Sequence, residues 1–124
     1  MNAHSLRPRR TTNLLIVNAS PRRDRSLSRR LGAAFIAEWL AARPHDEVVQ
    51  RDVGIDHPPL VTEAWIAACF TPDAEQTPLQ REVLAYSDAA IGELARADIV
   101  IIATPRYNYG MPAALKAWLD QVIR

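Results

Sequence analysis

Three serines, Ser20, Ser26 and Ser28, stand close together in "NASPRRDRSLS", the stretch from Asn18 to Ser28. Hydroxyls placed just ahead of a helix suit an anion, because the first helical turn leaves backbone N–H groups unpaired and carries the positive end of the dipole. The pattern fits a cradle for a monophosphate. It contains no glycine, so neither the dinucleotide G-x-G-x-x-G fingerprint nor the triphosphate loop G-x-x-x-x-G-K-[ST] is present. Two readings of the serines stand, since serine before a helix also serves as an ordinary N-cap. Arg22, Arg23 and Arg25 either add attraction for an anion or are solvated.

A second stretch, "PRYNYG" from Pro105 to Gly110, offers two phenol rings and an amide at a strand end. A flat, partly polar heterocycle needs such a surface: a face to lie against and hydrogen bonds at its rim. Gly110 is expected to let the backbone pass close to a ligand or turn sharply. The bland alternative is a turn whose rings cover the sheet edge.

Both stretches need a frame that brings them together. "NLLIV" at Asn13–Val17 and "IVIIA" at Ile99–Ala103 are short apolar runs, the pattern of strands buried on both faces, and the more polar "EVVQRDV" from Glu47 suits an edge strand. Leu27, Leu31, Phe35 and Trp39 recur at four-residue spacing and predict one face of a helix. Thr77, Pro78 and Gln80 form a capping box for another, with Leu79, Val83, Ala90, Ile91 and Leu94 along one side. Pro112 starts a last helix whose buried stripe is Leu115, Trp118, Leu119 and Val122, with Lys116 and Asp120 on the far face. Residues 54–76 hold three prolines and read as a long loop with one or two helical turns around Trp65.

The order βαβαβα builds a parallel sheet covered by helices on both sides, and ligands of such sheets sit at the carboxyl ends of the strands. Both candidate loops reach that end. At 124 residues, 48% hydrophobic and 23% charged, the chain has the composition of one globular domain. A net charge of +1 gives no electrostatic reason for a nucleic-acid or membrane partner. The single cysteine, Cys69, excludes an internal disulfide and a cysteine-rich metal site and suits a reducing compartment. No secretory h-region or membrane-length apolar run is present, which predicts a cytoplasmic protein. Residues 1–12 read as a disordered basic arm and residues 13–124 as the folded domain.

From Asn13 onward the sequence resembles a known family. "NLLIVNASPRRDRSLSRRL" followed by "PRYNYGMPAALKAWLDQVIR" is similar to the FMN-dependent NADH-azoreductases and the related flavodoxin-like NAD(P)H:quinone oxidoreductases. The last twenty residues carry the most specific part, a proline, one variable residue, Tyr-Asn-aromatic and a Leu-Lys-aromatic helix. The resemblance implies a flavodoxin-like three-layer α/β sandwich that binds FMN at a homodimer interface and passes two electrons from NADH to quinones or azo compounds. Carried across by position, Ser20, Ser26, Leu27 and Ser28 hold the FMN phosphate, and Arg106, Tyr107, Asn108 and Tyr109 contact the isoalloxazine ring. The chemistry belongs to the cofactor, so no catalytic side chain and no metal are expected, and His4, His45 and His57 read as bystanders.

Two departures bear on that reading. Arg106 stands where the family generally has methionine, and Tyr109 where it has phenylalanine; a guanidinium there shifts the flavin potential or points to solvent. Family members continue for two further strands, one followed by a glycine-rich loop over the flavin. The expectation is therefore an incomplete sheet of three strands in the order 2-1-3, whose third strand is an apolar edge prone to association. The alternative to an active oxidoreductase is a truncated, inactive remnant or interaction module. A phosphoacceptor receiver domain is excluded, because Pro105-Arg106 and Asn18-Ala19-Ser20 stand where it needs acidic residues.

Overall fold

The structure is a computed structural model and describes residues 9–124. The chain runs β1 (Asn13–Asn18), α1 (Leu27–Ala42), β2 (Glu47–Asp52), α2 (Glu63–Phe70), a 3-10 turn at Asp73–Glu75, α3 (Pro78–Arg96), β3 (Ile99–Ala103) and α4 (Ala113–Val122). Of the basic arm expected over residues 1–12, residues 1–8 lie outside the described part. Residues 9–12 run along the foot of the sheet, where Arg10 meets Asp98 at 3.4 Å and the Thr12 N–H donates to Asp46 at 2.9 Å.

The sheet is parallel in the order β2-β1-β3, as the resemblance implies. β1 lies between its neighbours, with Leu14 beside Val48 and Ile99, and Asn18 beside Asp52 and Ala103. Every residue from Leu14 to Ser20 is buried. Each large aliphatic side chain so buried is worth about 2 kcal/mol, which makes this apolar run the centre of the fold.

Alternate residues of a strand face opposite layers. Leu15, Val17 and Ala19 join Ala90, Leu115 and Trp118 in the core under α3 and α4. On the other face α1 lies so close that a Cβ on Gly32 would come within 2.9 Å of Ile16 Cδ1 and 3.2 Å of the Ala103 Cβ. The missing side chain at Gly32 sets that approach.

This contact corrects one expectation. Leu27, Leu31 and Phe35 do share a face of α1, but they are exposed at 64%, 63% and 47%. The helix turns Gly32 to the sheet instead, because only the smallest residue admits so close a contact, and the apolar stripe is rotated outward. In α3 the capping box forms as expected, Thr77 accepting from Gln80 N–H and Gln80 reaching back to Thr77 N–H. Leu79, in the first turn, is exposed, while Leu84, Ser87 and Ala90 are buried. Leu84 packs with Trp65 and Ala68 of α2, a partner that the sequence pattern within α3 does not reveal. In α4, Leu115 and Trp118 are buried as expected, and Lys116 pairs with Asp120 at 2.5 Å on the outer face.

The 54–76 segment is more ordered than a long loop. Thr62 caps α2 by accepting from the Trp65 N–H. Gln121, fully buried in α4, accepts from Trp65 Nε1 at 3.0 Å and donates to the Pro59 carbonyl at 2.9 Å. One amide thereby ties two points in the first half of this stretch, Pro59 and Trp65, to α4. Among the described residues no helix is long and apolar enough to cross a membrane.

Candidate functional site

The two stretches singled out by chemistry meet at the carboxyl ends of β1 and β3. Ser20 and Ser26 are almost fully buried, at 1% and 3% exposure. Ser20 Oγ accepts the Arg22 N–H at 3.2 Å, and Ser26 Oγ, the N-cap of α1, accepts the Arg29 N–H at 3.2 Å. A hydroxyl has one proton to give and two lone pairs. With backbone N–H groups on the acceptor side, each serine keeps its proton for another acceptor, and Ser28 Oγ lies 3.2 Å from Ser26 Oγ.

Charge around this helix end points the same way. The first turn of α1 contains no acid. Arg22, Arg23, Arg25 and Arg30 stand around it with Asp24, while Arg29 is paired with Asp52. Cations at the positive end of a helix dipole are unfavourable unless an anion joins them.

A cavity of about 350 Å³ opens between the loops. Ser20, Arg22, Arg25, Ser26 and Ser28 form its polar wall, while Leu27, Leu31, Pro105 and Tyr107 are among the residues of its apolar side. Among the described residues no carboxylate lines it. Hydroxyl and guanidinium donors beside an apolar shelf fit a phosphate joined to a flat organic group.

The exposed stripe of α1 thus has a use in part, since Leu27 and Leu31 wall this cavity. Of the residues expected at the site, Ser20, Ser26, Leu27, Ser28 and Tyr107 line it together. Arg106, Asn108 and Tyr109 do not. They sit outside its wall on an exposed turn, where the Arg106 guanidinium lies 5.3 Å from the Tyr109 ring centre.

That turn is built otherwise than expected. The Tyr107 N–H donates to the Gly110 carbonyl and the Gly110 N–H to the Tyr107 carbonyl, both at 2.9 Å. Asn108 and Tyr109 between them have φ of 48° and 65°, the pairing of a type I′ turn. Gly110 has no positive φ, and a Cβ there would meet nothing nearer than 3.8 Å. The left-handed positions fall one and two residues earlier, where asparagine is well suited and tyrosine is not.

Sequence reasoning missed what stands behind the first loop. Arg29 donates from Nε to the Arg22 carbonyl at 2.7 Å and from Nη2 to the Ser20 carbonyl at 2.6 Å. Its two Nη groups also form a bidentate pair with Asp52 at the end of β2, both bonds 2.7 Å. The guanidinium holds the Asp52 carboxyl below the usual carboxylate range, and burial opposes it only in part. Gly54 closes the back of the loop: a Cβ there would come within 2.1 Å of the Ser20 carbonyl oxygen. Asp52 ends β2 level with Asn18, a register that the alternation of the strand alone does not reveal.

A second cavity, about 320 Å³, shares Tyr107 with the first and is walled by Pro58, Leu60, Pro112 and Ala114 among others. The 54–76 segment therefore has at least one structural task, to form this apolar wall.

A parallel 2-1-3 sheet with helices on both faces and a serine-lined cavity at its carboxyl end defines an α/β protein of flavodoxin type. The chain belongs to the flavodoxin-like fold family, whose match spans residues 12–124. It is 46% identical over 109 residues to FMN-dependent NADH:quinone oxidoreductase 2 of Idiomarina loihiensis, covering 88% of this chain and 45% of that protein. It is likewise 46% identical over 114 residues to FMN-dependent NAD(P)H:quinone oxidoreductase 1 of Pseudomonas aeruginosa, covering 91% and 54%. Azoreductase from Bacillus anthracis superposes with a TM-score of 0.81 at 28% identity, covering 92% of this chain and 56% of that one. The chain spans about half the length of the curated relatives it matches.

Proposed function

We propose that the domain over residues 13–124 binds FMN and serves in an FMN-dependent NADH:quinone oxidoreductase that also accepts azo compounds. The observation that carries this reading is the single cavity in which the buried serines, two arginines and Tyr107 converge with no carboxylate among them. Ser20, Ser26, Leu27 and Ser28 take the phosphate through hydroxyl and backbone donors at the α1 N-terminus. The Tyr107–Gly110 turn offers its rings to the isoalloxazine, with Tyr107 in the cavity wall and Arg106, Asn108 and Tyr109 at the rim.

When bound, FMN supplies the two-electron chemistry, accepting hydride from NADH or NADPH and passing the electrons to the acceptor. The side chains contribute binding and orientation, and no acid–base residue or metal is assigned. Leu27, Leu31 and Pro105 give the cavity an apolar side for the flat part of the ligand to lie against. A homodimer belongs to the proposal, and the exposed apolar stripe of α1 supports self-association. A cytoplasmic setting is proposed as well, in keeping with one cysteine in the chain.

The direct test is NADH oxidation by the chain loaded with FMN, with a benzoquinone as acceptor. Quinone reduction that depends on added FMN and falls in Ser28→Ala is the expected result. Tight FMN retention without any quinone reduction would instead favour a non-enzymatic flavin or interaction module.

A further inference from the structure

We propose that Arg29 is a positioning residue for the phosphate cradle, latched by Asp52 and acting on the loop from behind; this rests on the FMN reading above. Arg29 takes no place in the cavity wall. Its bonds to the Arg22 and Ser20 carbonyls and to both Asp52 oxygens engage four of the five guanidinium N–H donors. Almost no donor capacity is left for a ligand. The guanidinium instead turns two loop carbonyls inward, and in a trans peptide a carbonyl turned one way sends the next N–H the other. The Arg23 N–H is thereby directed away from Arg29. Ser20, whose carbonyl is pinned, is also the serine whose Oγ accepts the Arg22 N–H.

The arrangement differs from a surface ion pair, which contributes little. Arg29 and Asp52 side chains are only 18% and 32% exposed, and the pair is bidentate with both partners bonded further. Asp52 Oδ1 also accepts the Ile55 N–H at 3.2 Å. Gly54 presses on the same Ser20 carbonyl. The end of β2 therefore acts as a backstop that carries α1 and the loop as one piece. A loop fixed before binding has less freedom to lose, so removal of the latch weakens the ligand through its phosphate end.

The test measures FMN and riboflavin binding to the purified chain by flavin fluorescence, for wild type, Arg29→Gln, Arg29→Lys, Asp52→Asn and the double variant Arg29→Gln/Asp52→Asn, each checked for folding by circular dichroism. Each single variant is expected to lower FMN affinity about tenfold with riboflavin changed by less than about twofold. Lysine does not restore binding, since one ammonium cannot span four acceptors, and the double variant resembles the worse single one because both break the same network. An equal loss of both flavins, or no loss, overturns the proposal.

Limited trypsin digestion gives an independent readout, because the loop itself carries Arg22, Arg23 and Arg25. Cleavage there is expected to rise about fivefold in the variants, with cleavage at Arg81 and Arg96 of α3 unchanged. Cleavage at wild-type rates, or a rise at all sites alike, counts against the latch. A wild-type chain that binds neither flavin contradicts the FMN reading, and the digestion alone then decides whether the latch holds the loop.

Discussion

Tyr109 holds a left-handed backbone at φ 65° with its ring 91% exposed, a conformation that costs a non-glycine residue about 1 kcal/mol. The Arg106 guanidinium lies 5.3 Å from its ring centre. The type I′ turn requires a positive φ at this position, and under the FMN proposal a flavin lying against the ring would offset the cost. Tyr109→Gly is therefore expected to hold or raise thermal stability, by up to about 1 kcal/mol, while lowering FMN affinity. Unchanged FMN affinity would remove Tyr109 from the site. Asp46 is a structural counterpart. The Arg43 guanidinium paired with it, helped by the Thr12 N–H and Trp39 Nε1 that donate to it and opposed in part by burial, pushes its carboxyl down from 3.8 to about 2. A carboxyl with a lowered folded pKa stabilises fully above its unfolded value and loses that contribution as pH falls through the folded one. Stability should decline between about pH 4 and pH 2 in the wild type. Asp46→Asn, followed by urea unfolding across that range, should be less stable at neutral pH and show a flatter slope.

At the scale of elements, the strands and helix starts were legible because their signals are local. The apolar runs of β1 and β3, the capping box at Thr77 and the four-residue spacing of α1 each depend on a few neighbouring residues. What escaped depends on distant partners. The outward rotation of Leu27, Leu31 and Phe35 follows from Gly32 meeting Ile16 and Ala103, and the burial of Leu84 follows from α2. The loop behind the site was equally hidden, as Arg29 and Asp52 are 23 residues apart. Gly54 belongs to this level. Gly54→Ala would drive a Cβ into the Ser20 backbone, where no side chain can swing aside. The expected cost is about 1–3 kcal/mol, with FMN affinity lost before the fold is, as chemical denaturation and flavin titration of one preparation would show. Alanine tolerated at both levels would mean that β2 and the loop are not held in contact.

For the whole molecule, exposed apolar surface lies on both faces of the sheet. Leu27, Leu31 and Phe35 on α1 are continuous with the cavity wall through Leu27 and Leu31, whereas Val100 and Ile102, level with Leu15 and Val17, are exposed on the α3–α4 face of β3. Such a surface favours association, and sedimentation velocity of the chain is expected to show species larger than a monomer. A single monomeric boundary would argue against the dimer in the proposed function. Five of the eight expected site residues share one cavity wall: the serines were found through hydroxyl spacing before a helix, whereas the positions of Arg106, Asn108 and Tyr109 depend on turn geometry that composition does not encode. The central claim is that this cavity holds FMN by its phosphate. Titration of the purified chain with FMN and with riboflavin, followed by flavin fluorescence, tests it most directly. Strong quenching with FMN and much weaker quenching with riboflavin is the predicted result; equal response to both, or none from a folded chain, would contradict it.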